Sequence, residues 1–402
     1  MVFHLGITMR KCRIMENSKY KKILFVTESL TRGGMETLLV NMANALTKRG
    51  FQITILCYDP RDDLKADLDK SIRYIYRPRR EFEFMNRIPH VRRYYNYRKA
   101  AWEHRVSATA LYKYYVGKEK YDIEIGFYRG PSIKIISGST NKNSKKIAWV
   151  HTDLRLCNPK GLMGWFNDQD EIKEAYENMD CVVCVSDKAR ESLHEVIGCQ
   201  DKSRTIYNMI PSDEIIRKSY EACPLIKKKF TFITVGRFVP DKCQDRVLTA
   251  TKQLNDEGYD FDVWIVGGGT FKDYEKQMKK YCQDNHLYNV VFTGAQENPY
   301  TYMRNADLFV LPSKREGFAL VVPEAMACGL PILSTKCTGP TEILNDGEFG
   351  ILVSNDEDGI YHGMKSVLDN KDCLDYYRQQ SSKRYHRFDE EVIINDIIEL
   401  FD

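Results

Sequence analysis

Short apolar, β-branched runs return along this chain at intervals long enough to hold a helix between them: Lys22-Ile-Leu-Phe-Val-Thr27, Gln52-Ile-Thr-Ile-Leu-Cys57, Ile123-Glu-Ile-Gly-Phe127, Lys146-Ile-Ala-Trp-Val150 and Cys181-Val-Val-Cys-Val185. Strand and helix in alternation make βα units and a parallel sheet. After Asn208 the chain turns polar and lysine-rich through Lys229. The pattern then starts again with Phe232–Val235, Asp262–Val266, Val290–Thr293, Asp307–Leu311 and Pro331–Ser334. Such a restart within 402 residues, too many for one ordinary core, predicts an α/β protein of two doubly wound, Rossmann-like domains joined near residues 208–229. Ligands of such sheets bind beyond the carboxyl ends of the strands, so the expected site is a central cleft between two facing sheets.

Bulk properties narrow the class. Hydrophobic residues at 43% and charged residues at 29% are those of a soluble globular protein. The 60 basic and 56 acidic residues leave a net charge of only +4, which excludes a dedicated nucleic-acid binder. No apolar run reaches the roughly 18 residues that span a bilayer, and Met1–Arg10 lacks a basic region ahead of its apolar part, so a cytoplasmic protein is expected. The 12 cysteines then read as reduced thiols. Cys181 and Cys184 fall on opposite faces of one strand, which argues against a zinc knuckle. Met15-Glu-Asn-Ser-Lys-Tyr-Lys-Lys-Ile-Leu-Phe-Val26 is a complete start for a first strand, and the residues before it are expected to be disordered or to precede the true start.

Several strand-end loops suit phosphate. Gly33-Gly34, between the first strand and a helical pattern through Leu38, Met42 and Leu46, fits either an anion cradle at a helix N-terminus or a plain tight turn. Gly267-Gly-Gly-Thr270 lacks the third glycine of the dinucleotide fingerprint, because Lys272 stands there, so neither nicotinamide nor flavin is expected. No Walker A sequence is present. Arg237 and Lys242, just beyond the strand Phe232–Val235, offer a planar fork and a point charge for phosphate oxygens.

In Arg315-Glu-Gly-Phe-Ala-Leu-Val-Val-Pro-Glu-Ala-Met-Ala-Cys-Gly-Leu-Pro331, Pro323 suits the first position of a helix and Gly329 the residue past its end, giving a short helix Pro323–Cys328. Glu324 falls in its first turn, where a carboxylate complements the helix dipole. Glu316 lies on the loop before it, where local structure gives no reason for an acid. Two carboxylates suggest a glycosidase acid and base, although one of these two is better suited to binding.

Glu316-x7-Glu324, with Ala325–Pro331 and Gly339-Pro-Thr-Glu-Ile-Leu344, closely resembles the retaining glycosyltransferases of family 4, which have the GT-B architecture. The resemblance extends to Val235-Gly-Arg237 with Lys242, Ile265–Gly268, Phe292–Gly294 and Asn305–Ser313, and at the front to Gly33-Gly-Met-Glu36, Trp149-Val-His-Thr-Asp153 and Val185-Ser186. It implies that a nucleotide-sugar donor is held at its diphosphate by Arg237, Lys242 and amides near Gly34 and in the loop Gly317, Phe318, Ala319 and Leu320. Glu324 would bond the ribose hydroxyls, Glu316 would contact the donor sugar, and His151 would lie beside it. The donor is expected to be UDP-linked and to carry a hexose or N-acetylhexosamine, with front-face attack, no metal and no cofactor. Scattered Asp-x-Asp triplets (Asp67-Leu-Asp69, Asp168-Gln-Asp170, Asp260-Phe-Asp262) are as frequent as chance provides and do not argue for a metal.

The resemblance also implies a final helix, within residues 386–402, that crosses back to the first domain. The expected organisation is an extension 1–21, an acceptor-side domain 22–210, a donor-binding domain 211–385 and that helix. Residues 73–105 are cationic and aromatic, which fits an anionic membrane surface or a lipid-diphosphate-linked glycan acceptor, and equally a solvated helix packing its tyrosines inward. Enzymes similar to this chain extend lipid-linked glycans of the bacterial surface, which favours peripheral membrane contact. Two rivals are a glycoside phosphorylase using the same anion cradle and a catalytically silent sugar or nucleotide binder.

Overall fold

The computed structural model describes residues 21–77, 105–157, 166–269 and 271–402. The expected N-terminal extension lies outside them except for Lys21, as does most of the basic, aromatic segment 73–105.

The chain divides into two units: the described residues up to Tyr207 together with Ile394–Asp402, and Asn208–Ile393. In the first unit β1 (Lys22–Thr27), β2 (Gln52–Cys57), β3 (Arg73–Tyr76), β4 (Ile123–Gly126), β5 (Lys145–Val150), β6 (Cys181–Cys184) and β7 (Ser203–Thr205) form one parallel sheet in the order β3-β2-β1-β4-β5-β6-β7. The second unit repeats the plan with β8 (Thr231–Val235), β9 (Asp262–Val266), β10 (Val290–Gly294), β11 (Leu308–Leu311), β12 (Ile332–Thr335) and β13 (Ile351–Val353), in the order β10-β9-β8-β11-β12-β13. Both are α/β doubly wound sheets, as the alternation of runs requires.

Burial explains why the central strands were legible and three of the four edge strands were not. Ile23–Val26, Phe232–Ile233 and Leu308–Val310 are completely buried, since helices cover both faces of a parallel sheet. In contrast β3 (Arg-Tyr-Ile-Tyr), β7 (Ser-Arg-Thr) and β13 (Ile-Leu-Val) are short edge strands, partly exposed and without a sustained apolar run. β3 also revises the reading of the cationic segment: its first residues are a sheet edge, with Arg73 Nη1 2.5 Å from Glu119 Oε1 and Arg77 Nη1 donating to Tyr114 O at 3.0 Å.

Helices supply the matching stripes. In Gln244–Asp256, Val247, Leu248, Thr251 and Leu254 recur at one-, three- and four-residue steps, and the apolar ones enter a core with Phe232, Val263, Leu308 and Leu333. Ile360, Met364 and Val367 of helix Glu357–Asp369 complete it at the same spacing.

The unit boundary falls after Tyr207, three residues before the expected one, because residue 210 is tied into the second unit. Ile210 N donates to Phe388 O at 2.8 Å and Glu390 N to Ile210 O at 3.0 Å. The last helix, Glu390–Glu399, begins in that unit, and from Ile394 onward the chain belongs to the first. There Arg49 Nη1 donates to Asn395 Oδ1 at 2.9 Å, Lys21 Nζ to Phe401 O at 2.7 Å, and Phe401 packs edge-on against Phe51.

Strand order reverses between β1 and β4 and again between β8 and β11, so chains leaving these neighbours diverge and open a crevice beyond their carboxyl ends. At the second reversal, backbone packing is close enough to dictate glycine. Gly267 has φ +150°, and a Cβ there would lie 1.9 Å from Gly236 O. Gly267→Ala is expected to lower unfolding stability by about 2–4 kcal/mol, as backbone strain adds to a clash with a main-chain atom. Gly258→Ala, also at positive φ but with nothing within 4 Å, is expected to lose only about 1 kcal/mol. Urea midpoints of the two variants check the order.

Candidate active site

In the second unit the reversal gathers the expected donor residues. The chain leaves β8 through Gly236, whose N–H donates to Val266 O at 3.0 Å, and Phe238 is pinned by its N–H to Gly268 O at 3.0 Å. Arg237, between these anchors, has an exposed side chain with no ion pair among the described residues. A short 3-10 turn, Pro240–Lys242, follows and brings Lys242 Nζ to 2.6 Å from Glu316 Oε1, on the loop after β11. Glu316 is thus an ion-pair partner, which the sequence did not indicate. The two side chains are only 24% and 9% exposed, so removing the lysine would leave a nearly buried carboxylate without its counter-charge. An ammonium has three donors, and the carboxylate uses one, leaving two for ligand oxygens.

The loop after Glu316 is held by packing. The Phe318 ring is buried and meets Phe388 edge-on at 5.5 Å, so the ring serves packing. Gly339 lies against it: a Cβ there would meet Phe318 Cα at 2.5 Å, and Gly339 N donates to Glu316 O at 3.2 Å. Ala319 sits at φ +68°, a left-handed conformation unusual for alanine. Val322 N already bonds Ala319 O at 2.9 Å, so the helix runs Val321–Ala327 and Pro323 is its third residue, not its first. The missing proline N–H is harmless there, because the first four N–H groups of a helix have no internal partner. Gly329, φ +82°, follows the end as expected.

Glu324 stands in the first turn with no side-chain hydrogen bond among the described residues. A helix N-terminus lowers a carboxyl pKa, but burial outweighs it here and lifts Glu324 to about 7. Its charge in turn, with burial second, raises Tyr300, a neighbour that no motif marked.

The first unit holds the remaining candidates. Helix Gly34–Lys48 starts directly after β1 with an extended Gly33 as its cap, and Glu36 lies over that first turn, where a Cβ on Gly33 would meet its Oε2 at 2.4 Å. The turn is therefore complemented by the protein's own carboxylate, and Gly34 itself is exposed. His151 follows β5, and its Nε2 is 2.9 Å from Phe127 O beyond β4. A carbonyl only accepts, so Nε2 carries the proton and Nδ1, which is buried without a partner, is the acceptor. Burial lowers this histidine to about 4, the Phe127 bond opposing the shift only in part. Met35, Tyr128, Arg129, His151 and Thr152 line a cavity of about 240 Å³. Arg129, whose guanidinium lies 2.6 Å from Cys157 Sγ, had no sequence signal.

Among the described residues no group of three or more His, Cys, Asp or Glu is arranged to hold a metal ion. No helix there is long and apolar enough to cross a membrane. All the described cysteines are free, with Cys181 and Cys184 buried in β6.

Two titrations follow. His151 should remain neutral until the pH falls to about 4, read from its ring resonances by NMR. Depressed below its unfolded value, it contributes stability that is present above about pH 6.5 and lost as pH falls toward 4. Glu324 behaves in the opposite sense: a carboxyl raised to about 7 contributes stability that is full below about pH 4.5 and lost as pH rises toward 7. Glu324→Gln should therefore gain on the wild type across that window, by at most about 1.4 kcal/mol per pH unit. Denaturant midpoints at pH 5 and pH 8 decide it; an equal difference at both would refute the shift.

Residues 32–214 match the family described as Glycosyltransferase Family 4, and residues 217–387 match Glycosyl transferases group 1. Over 199 residues the chain is 31% identical to the N-acetylgalactosamine-N,N'-diacetylbacillosaminyl-diphospho-undecaprenol 4-alpha-N-acetylgalactosaminyltransferase of Campylobacter jejuni, covering 49% of this chain and 53%, about half, of that protein's length. It is 25% identical to an uncharacterized glycosyltransferase of Haemophilus influenzae over 371 residues, 90% of this chain and 94% of the other. Among solved structures, Anabaena HepE in complex with UDP and glucose superposes with a TM-score of 0.72 at 18% identity, covering 94% of this chain and 99% of that one. Sucrose-phosphate synthase from Thermosynechococcus elongatus gives 0.71 at 18%, covering 95% and 98%. With the two family matches adjoining one another over two parallel Rossmann-like sheets, the chain belongs to the family 4 glycosyltransferases of GT-B architecture.

Proposed function

We propose that this protein is a retaining glycosyltransferase that moves a hexose or N-acetylhexosamine from a UDP-linked donor to a glycan acceptor carried on a lipid diphosphate, in synthesis of a cell-surface polysaccharide. The observation that carries this reading is the Lys242–Glu316 pair at the strand reversal, a cation and a carboxylate 2.6 Å apart. Support also comes from HepE, solved with UDP and glucose, and from the Campylobacter relative, whose name specifies a diphospho-undecaprenol acceptor.

In this reading Arg237 and Lys242 offset the charge that develops on the departing nucleoside diphosphate, which is where electrostatic catalysis acts most strongly. Gly34 and the backbone of Gly317, Phe318, Ala319 and Leu320 complete the diphosphate contacts. Glu316 orients the sugar and balances positive charge at its anomeric carbon, while Glu324 holds the ribose hydroxyls. His151, neutral at physiological pH, accepts a hydrogen bond from a sugar hydroxyl rather than supplying charge. The side-chain cations make a metal ion unnecessary. The protein works at the cytoplasmic face of the membrane, which it meets through the basic, aromatic part of the segment 73–105 that follows β3.

The test is nucleoside diphosphate release from UDP-, GDP- and ADP-sugars with chelator present. Slow release from a UDP-sugar is expected, falling about a hundredfold or more in Glu316→Ala. Absence of release from every donor, with no nucleoside diphosphate bound in calorimetry, would sink the proposal. Phosphate-dependent glycoside cleavage without nucleotide would replace it with a phosphorylase.

A further inference from the structure

Beside the Lys242–Glu316 pair stands a second one between the same two loops. Arg315 Nη2 donates to both carboxylate oxygens of Asp241, at 2.9 and 2.8 Å. Consecutive residues on one loop, Asp241 and Lys242, thus meet consecutive residues on the other, Arg315 and Glu316, with the signs alternating along each loop. The order fixes the register. A slip of one residue would set Asp241 against Glu316 or Lys242 against Arg315, replacing attraction by repulsion at short range. The loops are joined once more by Lys314 N donating to Asp241 O at 2.9 Å. Below that point the β11 loop is anchored by Arg246 Nη1 to Pro312 O at 3.0 Å and by Asn355 Nδ2 to Lys314 O at 2.9 Å. Arg315 and Glu316 lie just past these anchors.

We propose that Asp241 and Arg315 are positioning residues, whose pair keeps the Lys242 loop in register with the Glu316 loop when Lys242 turns from Glu316 to the donor diphosphate. The proposal rests on the donor reading of Lys242 and Glu316 given above. Both pairs are closed. A diphosphate competes for the Lys242 ammonium, and the outer pair, which touches no substrate, holds the ammonium within reach while that exchange takes place.

The experiment uses the full-length protein as wild type, Asp241→Ala, Arg315→Ala and the double variant. Acetylation of Lys242 by acetic anhydride, followed by mass spectrometry without nucleotide, reports how often the inner pair opens. Each single change is expected to speed labelling about two- to fivefold, the range of an exposed ion pair, and the double variant no more than either single. The donor KM should rise by a similar factor with kcat within about twofold, a split that general destabilisation would not give. Unchanged labelling in both single variants overturns the proposal, as does a double effect equal to the product of the singles, which marks two independent residues. If the labelling cycle behaves as expected but neither UDP nor any UDP-sugar protects Lys242, the positioning role stands and the donor reading falls.

Discussion

Parallel strands that are neighbours in a sheet but send their chains to opposite faces leave a gap that no helix fills. In the second unit that constraint acts at β8 and β11, paired through Leu308 with Phe232 and Phe309 with Ile233. Lys242 comes from the loop after the first and Glu316 from the loop after the second. They are 74 positions apart in sequence and 2.6 Å apart in space. The donor chemistry proposed for this protein depends on that juxtaposition, and so does the register of the outer pair. The first unit applies the same rule at β1 and β4, where Phe127 leaves β4 and receives the hydrogen bond of His151 from β5 next to it.

Burial and pairing set the charge of these groups before any ligand arrives. Lys242 and Glu316 offset one another, as do Asp241 and Arg315, whereas Arg237 has no ion-pair partner among the described residues. Desolvation pushes Glu324 up to about 7 and His151 down to about 4, opposite shifts with one cause, since each moves toward its uncharged form. Neutral groups suit hydroxyls, and the cations suit phosphate. That division of labour is what a nucleotide sugar, part polyol and part anion, would require.

The fold was legible where burial was deep. Runs such as Ile-Leu-Phe-Val in β1 have to be apolar because helices cover both faces of the sheet, and that necessity is written in composition. At three of the four edges the requirement lapses, and β3, β7 and β13 carried no such signal. The helix near Glu324 was placed two residues late for a local reason: proline is compatible with the third helical position as well as the first. Ala319, rather than the proline, marks where the chain turns in.

The sequence by itself determined the two sheets, their restart, and the residue types waiting at the strand ends, because periodicity and turn chemistry act over a few neighbours. Glu316, Arg237, Lys242 and His151 were all visible as unusual residues at such ends. Only the tertiary structure decided which of them meet. Glu316 belongs to Lys242, Asp241 to Arg315, and His151 to the Phe127 carbonyl, pairs separated by 74, 74 and 24 positions. No local pattern encodes those distances; they follow from strand order, which is a property of the whole sheet. The shifted pKa values have the same origin, since burial of a carboxyl or an imidazole is set by what packs around it rather than by its neighbours along the chain.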